Sequence, residues 1–242
     1  MLIDTHFHLY LMDNMQILIQ EFRTADVGII AVGTTPKAYT KENKLCFGID
    51  TIRVSLGMHP QLVAEREQEL GFFLQLLEKS KFIGEVGLDF NSGHITSKSQ
   101  QLYCFRKIAK ACAEEGGKIL SIHSVKAAGV VIEELSVAGT FLNNICIFHW
   151  FSGTATERKK AIEAGAWFSI NPKMLRTNSG RETIKALPSE RILLETDAPF
   201  TMKFKTVADL KSELDKLVIG ISAIRGEDMF GMIENNSKQV LL

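Results

Sequence analysis

The 242-residue chain predicts an α/β protein folded as a single (β/α)8 TIM barrel, and three observations carry that prediction. Short apolar or β-branched runs alternate eight times with longer stretches of helical periodicity. The runs are nearly continuous in apolar residues, as strands are when both faces of a parallel sheet are covered. Five of the six histidines fall at the C-terminal ends of these runs, the functional face of such a barrel. A doubly wound open sheet is the competing closure.

The elements follow in order. A first strand at 2–6 leads to a helical pattern at 14–24, and a second at 27–33 to one at 36–47. Strands at 52–57 and 82–86 are followed by helices at 65–78 and 97–115, the latter stopped by Gly116-Gly117. A fifth strand at 118–123 precedes a helix at 125–136, and a sixth at 145–149 precedes one at 154–164. Thr154 with Glu157 three residues on has the form of a capping box, and Gly165 stands where that helix should stop. Strands at 166–170 and 191–196 lead to helices at 180–186 and 207–217, and a final helical segment at 227–242 packs against the barrel. No composition break or Pro/Gly-rich linker divides the sequence, so 1–242 reads as one domain.

Composition excludes some functions. Lys plus Arg and Asp plus Glu both number 28, and a formal net charge of zero argues against a long nonspecific grip on duplex nucleic acid. It leaves room for an enzyme that holds a few phosphates locally. Cys46, Cys104, Cys112 and Cys146 show no C-x-x-C pairing and read as small buried residues in a reducing compartment. No apolar stretch approaches the roughly 18 residues of a membrane span, and the start lacks the basic region of a signal peptide. The expectation is a cytoplasmic protein without a membrane partner.

The strand ends hold a constellation. Strand one ends in Asp4-Thr5-His6-Phe7-His8, and residues two apart on a strand share a face, so both imidazoles point to one spot. Strand three runs into Leu56-Gly57-Met58-His59-Pro60, and strand four carries Gly84-Glu85-Val86-Gly87-Leu88-Asp89. Strands five and six end at His123 and His149, and strand eight at Glu195-Thr196-Asp197-Ala198-Pro199. Neutral imidazoles and carboxylates suit borderline divalent cations. Four histidines and two carboxylates exceed the needs of one tetrahedral site and match a pair of metals sharing a carboxylate.

These motifs, with His149-Trp150-Phe151-Ser152-Gly153, occur between residues 4 and 199 in the order and form of the TatD family of metal-dependent DNases, which the chain resembles. The resemblance implies that His6, His8 and Asp197 hold one divalent ion (Mg2+, Mn2+ or Zn2+), that His123 and His149 hold a second, and that Glu85 bridges them. It implies that Asp197 orients or deprotonates the attacking water, that His59 contacts substrate, and that DNA is hydrolysed, often 3′ to 5′ from an end. Single-stranded or frayed ends are the expected DNA partner.

Two departures bear on substrate. Where the family has His-x-Arg at strand five this chain has His123-Ser124-Val125-Lys126, so a phosphate contact is lost or passes to Lys126. Where an Arg-Asn segment often follows strand eight, this chain has Phe200-Thr201-Met202-Lys203. The His-Trp-Phe-Ser-Gly form, with Leu-Gly-Met-His-Pro-Gln and Ser-Ile-His-Ser, is similar to the TatD-like component of Qat-type anti-phage systems, which implies defence-operon protein partners.

Plainer readings stand beside these. Glu85 fits a buried acid paired with a base, and His59 a structural residue. Asp89 suits a loop cap or a hydrogen bond to a ligand histidine. His94 reads as an exposed loop residue and Arg158-Lys159-Lys160 as a solvated helix face. Trp150 and Phe151 suit either base stacking or rim packing, and Lys173, Arg176 and Arg181 face the mouth as phosphate contacts. Two other functions remain open: an amidohydrolase-type hydrolase of amides or esters, and a catalytically weak subunit that binds nucleic acid or partners.

Overall fold

A computed structural model gives the architecture and describes residues 1–241. Its strands are β1 (Ile3–Phe7), β2 (Gly28–Val32), β3 (Ile52–Ser55), β4 (Phe82–Gly87), β5 (Ile119–His123), β6 (Ile145–His149), β7 (Trp167–Ile170) and β8 (Ile192–Leu194). All pair in parallel, in the order β3-β2-β1-β8-β7-β6-β5-β4. A bridge from Leu56 to Ile83 joins the two outer strands and closes the ring. The helices are α1 (Met15–Phe22), α2 (Pro36–Leu45), α3 (Val63–Arg66), α4 (Leu70–Leu77), α5 (Lys98–Glu115), α6 (Ala128–Ala138), α7 (Ala155–Glu163), α8 (Asn178–Ala186), α9 (Val207–Arg225) and α10 (Phe230–Leu241). This is a (β/α)8 barrel, and the open-sheet alternative falls away.

Period-two alternation arranges the interior in layers. Ile30, Val32, Phe82, Ile119, Ile147, Trp167 and Leu193, from six different strands, form one buried cluster with Val240 of α10. Farther along the same rows come Ser121 and His123, His149, Ser169, Glu195 and Asp197. Each inward row thus starts apolar and ends polar, so one end of the barrel is filled with hydrocarbon and the other is chemical. β4 breaks the count. Its register with β5 shifts between Ile83 and Val86, so Glu85 faces inward although it is an odd number of residues from Phe82.

Several boundaries differ from the sequence pattern, each for a local reason. The expected helix at 65–78 is split into α3 and α4 by a 3-10 turn at Glu67–Glu69. The helix after β5 starts at Ala128 rather than 125, because Lys126 takes a left-handed conformation and Ala127 N–H turns back to the Ser124 carbonyl. α9 runs eight residues past 217 to Arg225, where Gly226 at φ 72 caps it. α10 begins at Phe230 after the Asp228 side chain accepts from the Phe230 N–H, and Leu242 lies outside the described residues. The capping box at Thr154 and Glu157 is present, and Gly116, at φ 69, ends α5. The four cysteines are free and buried.

Candidate active site

At the C-terminal ends of the strands a cleft of about 470 Å3 is lined by His8, His59, Glu85, His123, His149, Trp150, Asp197 and Phe200, among others. The structure brings together all six residues expected to hold metal. The two oxygens of Glu85 divide the imidazoles between them. Oε2 lies 3.4 Å from His6 Nε2, 3.6 Å from His8 Nε2 and 3.3 Å from His59 Nε2. Oε1 lies 2.6 Å from His123 Nδ1 and 3.1 Å from His149 Nε2. Asp197 Oδ1 stands 3.5 Å from His8 Nε2 and 3.9 Å from His6 Nε2, on the first side.

The backbone fixes these groups. Glu85 N–H donates to the Gly33 carbonyl and the Glu85 carbonyl accepts from Met58 N–H, tying β4 to the ends of β2 and β3. Asp197 sits at φ 54, in the left-handed region, with its N–H on the His6 carbonyl. Asp4 locks β1 to β8. Its Oδ1 accepts from the His6 and Thr196 N–H groups, and its Oδ2 from Thr196 Oγ1. Burial, opposed only in part by these hydrogen bonds, pushes the Asp4 carboxyl up to about 8.

Outer contacts orient the rings. His6 Nδ1 is 2.7 Å from Ser121 Oγ, His123 Nε2 is 3.0 Å from Asp89 Oδ2, and His149 Nδ1 is 3.6 Å from Glu195 Oε2. Glu195 itself accepts from Ser169 Oγ and Asn171 Nδ2, and Asp89 from Gln61 Nε2. The reading of Asp89 as support for a histidine matches this geometry. Ser121, Ser169, Asn171 and Glu195 were not singled out from sequence. Their signal is a lone polar residue in an apolar strand, at the parity of its catalytic end.

Electrostatics makes the cluster a single unit. Burial would raise the Glu85 carboxyl, but the imidazoles of His59, His6 and His149, with the His123 hydrogen bond, hold it well below the usual carboxylate range. Burial opposes protonation of His149, yet Glu85 and Glu195 push it well above the usual imidazole value. His123 is likewise raised against burial by Asp89 and Glu85. His6 moves the other way, lowered by burial and by His149, whose ring stacks on it at 3.8 Å. His6 Nε2, His8 Nδ1 and His149 Nδ1 are buried without a hydrogen-bond partner. The sets His6/His8/Glu85, His59/Glu85/His123 and His6/His149/Glu195 each converge closely enough to hold one ion. The residues therefore fit divalent metal.

The expected substrate contacts fare unevenly. His59 lines the cleft, with Nδ1 accepting from Gln61 N–H and Nε2 facing Glu85, within reach of the ligand groups themselves. Trp150 lines it too, at φ 42, with Lys173 Nζ 4.9 Å over its ring. Lys126 is not brought to the cleft. It is exposed at φ 52, and Val125 occupies the lining instead, because the left-handed turn carries the lysine outward. Phe151 is buried against Phe148 and Phe168, which is packing. His94 is half-buried rather than exposed, its carbonyl accepting from Gln101 Nε2 and Ser97 Oγ.

A barrel with a carboxylate at the centre of five imidazoles at its strand ends defines a metal-dependent hydrolase. The model of the TatD related DNase family matches residues 3–241, and the chain belongs to that family. It is 28% identical over 209 residues to the uncharacterized metal-dependent hydrolase YabD of Bacillus subtilis (strain 168), covering 83% of this chain and 81% of that protein. It is 31% identical over 154 residues to the 3'-5' ssDNA/RNA exonuclease TatD of Erwinia billingiae (strain Eb661), covering 60% and 57%. Among solved structures, the TatD homologue YJJV of Escherichia coli K12 superposes with a TM-score of 0.83 at 20% identity, over 100% of this chain and 97% of that one.

Proposed function

We propose that the chain is a deoxyribonuclease that removes nucleotides from single-stranded or frayed DNA ends, in the 3′-to-5′ direction, using two divalent cations. The observation that carries this reading is the division of Glu85, with Oε2 beside His6 and His8, which Asp197 also faces, and Oε1 beside His123 and His149. One carboxylate serving two separate donor groups is the arrangement a bridged metal pair requires. His6, His8 and Asp197 would hold one ion, His123 and His149 the other, with Glu85 between. Bound there, the ions supply Lewis-acid charge for the phosphate and make water acidic enough to attack near neutral pH.

The chain's own groups do the rest. Asp197 orients the water and takes its proton as the water oxygen adds to phosphorus and the bond from phosphorus to the leaving sugar oxygen breaks, that oxygen taking a proton from solvent. His59, at the cleft wall, would be a phosphate or substrate contact. Supporting the substrate class is the name of the Erwinia relative, a 3'-5' ssDNA/RNA exonuclease. We further propose that residues 1–242 act as one catalytic domain in the cytoplasm, within an anti-phage system whose other proteins are its partners. Among the described residues, no helix is long and apolar enough to cross a membrane.

The test is incubation with end-labelled single- and double-stranded DNA and Mg2+, Mn2+ or Zn2+, alongside Glu85→Ala and Asp197→Asn. Wild type should shorten single strands from the 3′ end, and both variants should lose on the order of 10³-fold in rate. Cleavage that survives both substitutions would sink the assignment.

A further inference from the structure

The cleft has an unusual wall for a nuclease. Among the described residues, no lysine or arginine lines it, while Val125, Trp150 and Phe200 do. Phe200 is 61% exposed, yet it is not loose. Its N–H donates to the Asp197 carbonyl at 2.9 Å, and the neighbouring Thr201 N–H and Oγ1 are held by the Asp197 and Thr196 carbonyls. The Ala198 carbonyl accepts from His8 N–H, fastening the same turn to β1. The ring meets His8 edge-on, with centroids 5.1 Å apart and planes at 89°. A solvent-facing aromatic ring on a hydrogen-bonded turn therefore stands directly beside His8. Trp150 is held on the cleft wall in a left-handed conformation that L-residues adopt only at a cost. Lys173 lies over the Trp150 ring, outside the lining.

We infer that Phe200 is the platform on which the terminal nucleobase stacks, with Trp150 closing the same subsite, and that stacking replaces cationic side chains in gripping the strand. The inference rests on the nuclease reading above. Every nucleobase offers a π face, so such a site is indifferent to sequence and requires an unpaired end. With Lys173 supplying one cationic contact to the strand, the logarithm of affinity should fall with the logarithm of salt at a slope of about 0.7, the value for one phosphate on a single strand.

The experiment compares wild type, Phe200→Ala and Phe200→Tyr on a short single-stranded oligonucleotide whose last nucleotide is either normal or abasic. Fluorescence of a terminal 2-aminopurine gives a second readout. Phe200→Ala should raise KM about 5- to 100-fold with a smaller change in kcat, and Phe200→Tyr should restore it. The abasic end should cost wild type a similar factor and Phe200→Ala almost nothing more. Binding should quench 2-aminopurine in wild type and Phe200→Tyr but not in Phe200→Ala. Equal abasic penalties in wild type and Phe200→Ala, or a salt slope of several units, overturn the inference while leaving the nuclease standing. No cleavage of any DNA by wild type defeats the nuclease reading itself.

Discussion

Single side chains explain why this cluster is a site and not a buried ion pair. Glu85 lies within 3.6 Å of five imidazoles, and Asp89 and Ser121 each hold one of those rings from behind. Such supporting partners set ring orientation and basicity. Asp89→Asn should therefore weaken Zn2+ or Mn2+ binding about 10- to 100-fold, measured by calorimetry, while the thermal midpoint of the metal-free protein moves little. Unchanged affinity would mean that the hydrogen bond to His123 has no part in the site. Most of the centre was legible in the sequence, because His6, His123 and His149 lie at strand ends whose alternation aims them inward, and His8 and Asp197 follow just past β1 and β8. His59 was legible as a cleft residue but not as a neighbour of Glu85, since a turn and not a strand presents it. Lys126 misled because a one-residue change of backbone hand is invisible in composition.

Among the elements, β4 is the least regular and the most consequential. Its register shift turns Glu85 into the barrel, a direction that counting from Phe82 does not give. Gly87, at φ 144, lets β4 lie against β5, and a Cβ there would stand 2.0 Å from the His123 carbonyl oxygen. Gly87→Ala should cost about 3 kcal/mol or more in urea unfolding and should also reduce metal affinity, since Glu85 and His123 separate together. Loss of stability with normal metal affinity would show the two strands to be independent. The strand sequence was readable throughout, whereas helix ends were not. α3 and α4 share one apolar stripe that a 3-10 turn interrupts, and α6 starts late behind Lys126.

For the whole molecule, stability carries a titration outside the metal cluster. Glu42 of α2 is buried, its Oε2 has no hydrogen-bond partner, and burial raises its carboxyl from 4.5 to about 7. The folded state therefore holds a proton that the unfolded chain releases near pH 4.5. Glu42 contributes stability that is complete below that pH and is lost as pH rises through 7. Glu42→Gln, which cannot ionise, should gain on wild type between pH 5 and pH 8, by about 2–4 °C in thermal midpoint for each kcal/mol recovered. A difference that stays flat with pH would remove Glu42 from that role. Chain order has a further consequence. The hydrogen bonds from Thr196 to Asp4 span 192 residues, and His6 and Asp197 are brought face to face by the same closure. At about 5–20 residues per second of synthesis, the histidines made first wait roughly 10–40 s for their carboxylate. A nascent chain that stops short of Asp197 lacks part of the centre and cannot be an active nuclease. The ion finally captured is drawn from whatever pool surrounds the finished chain.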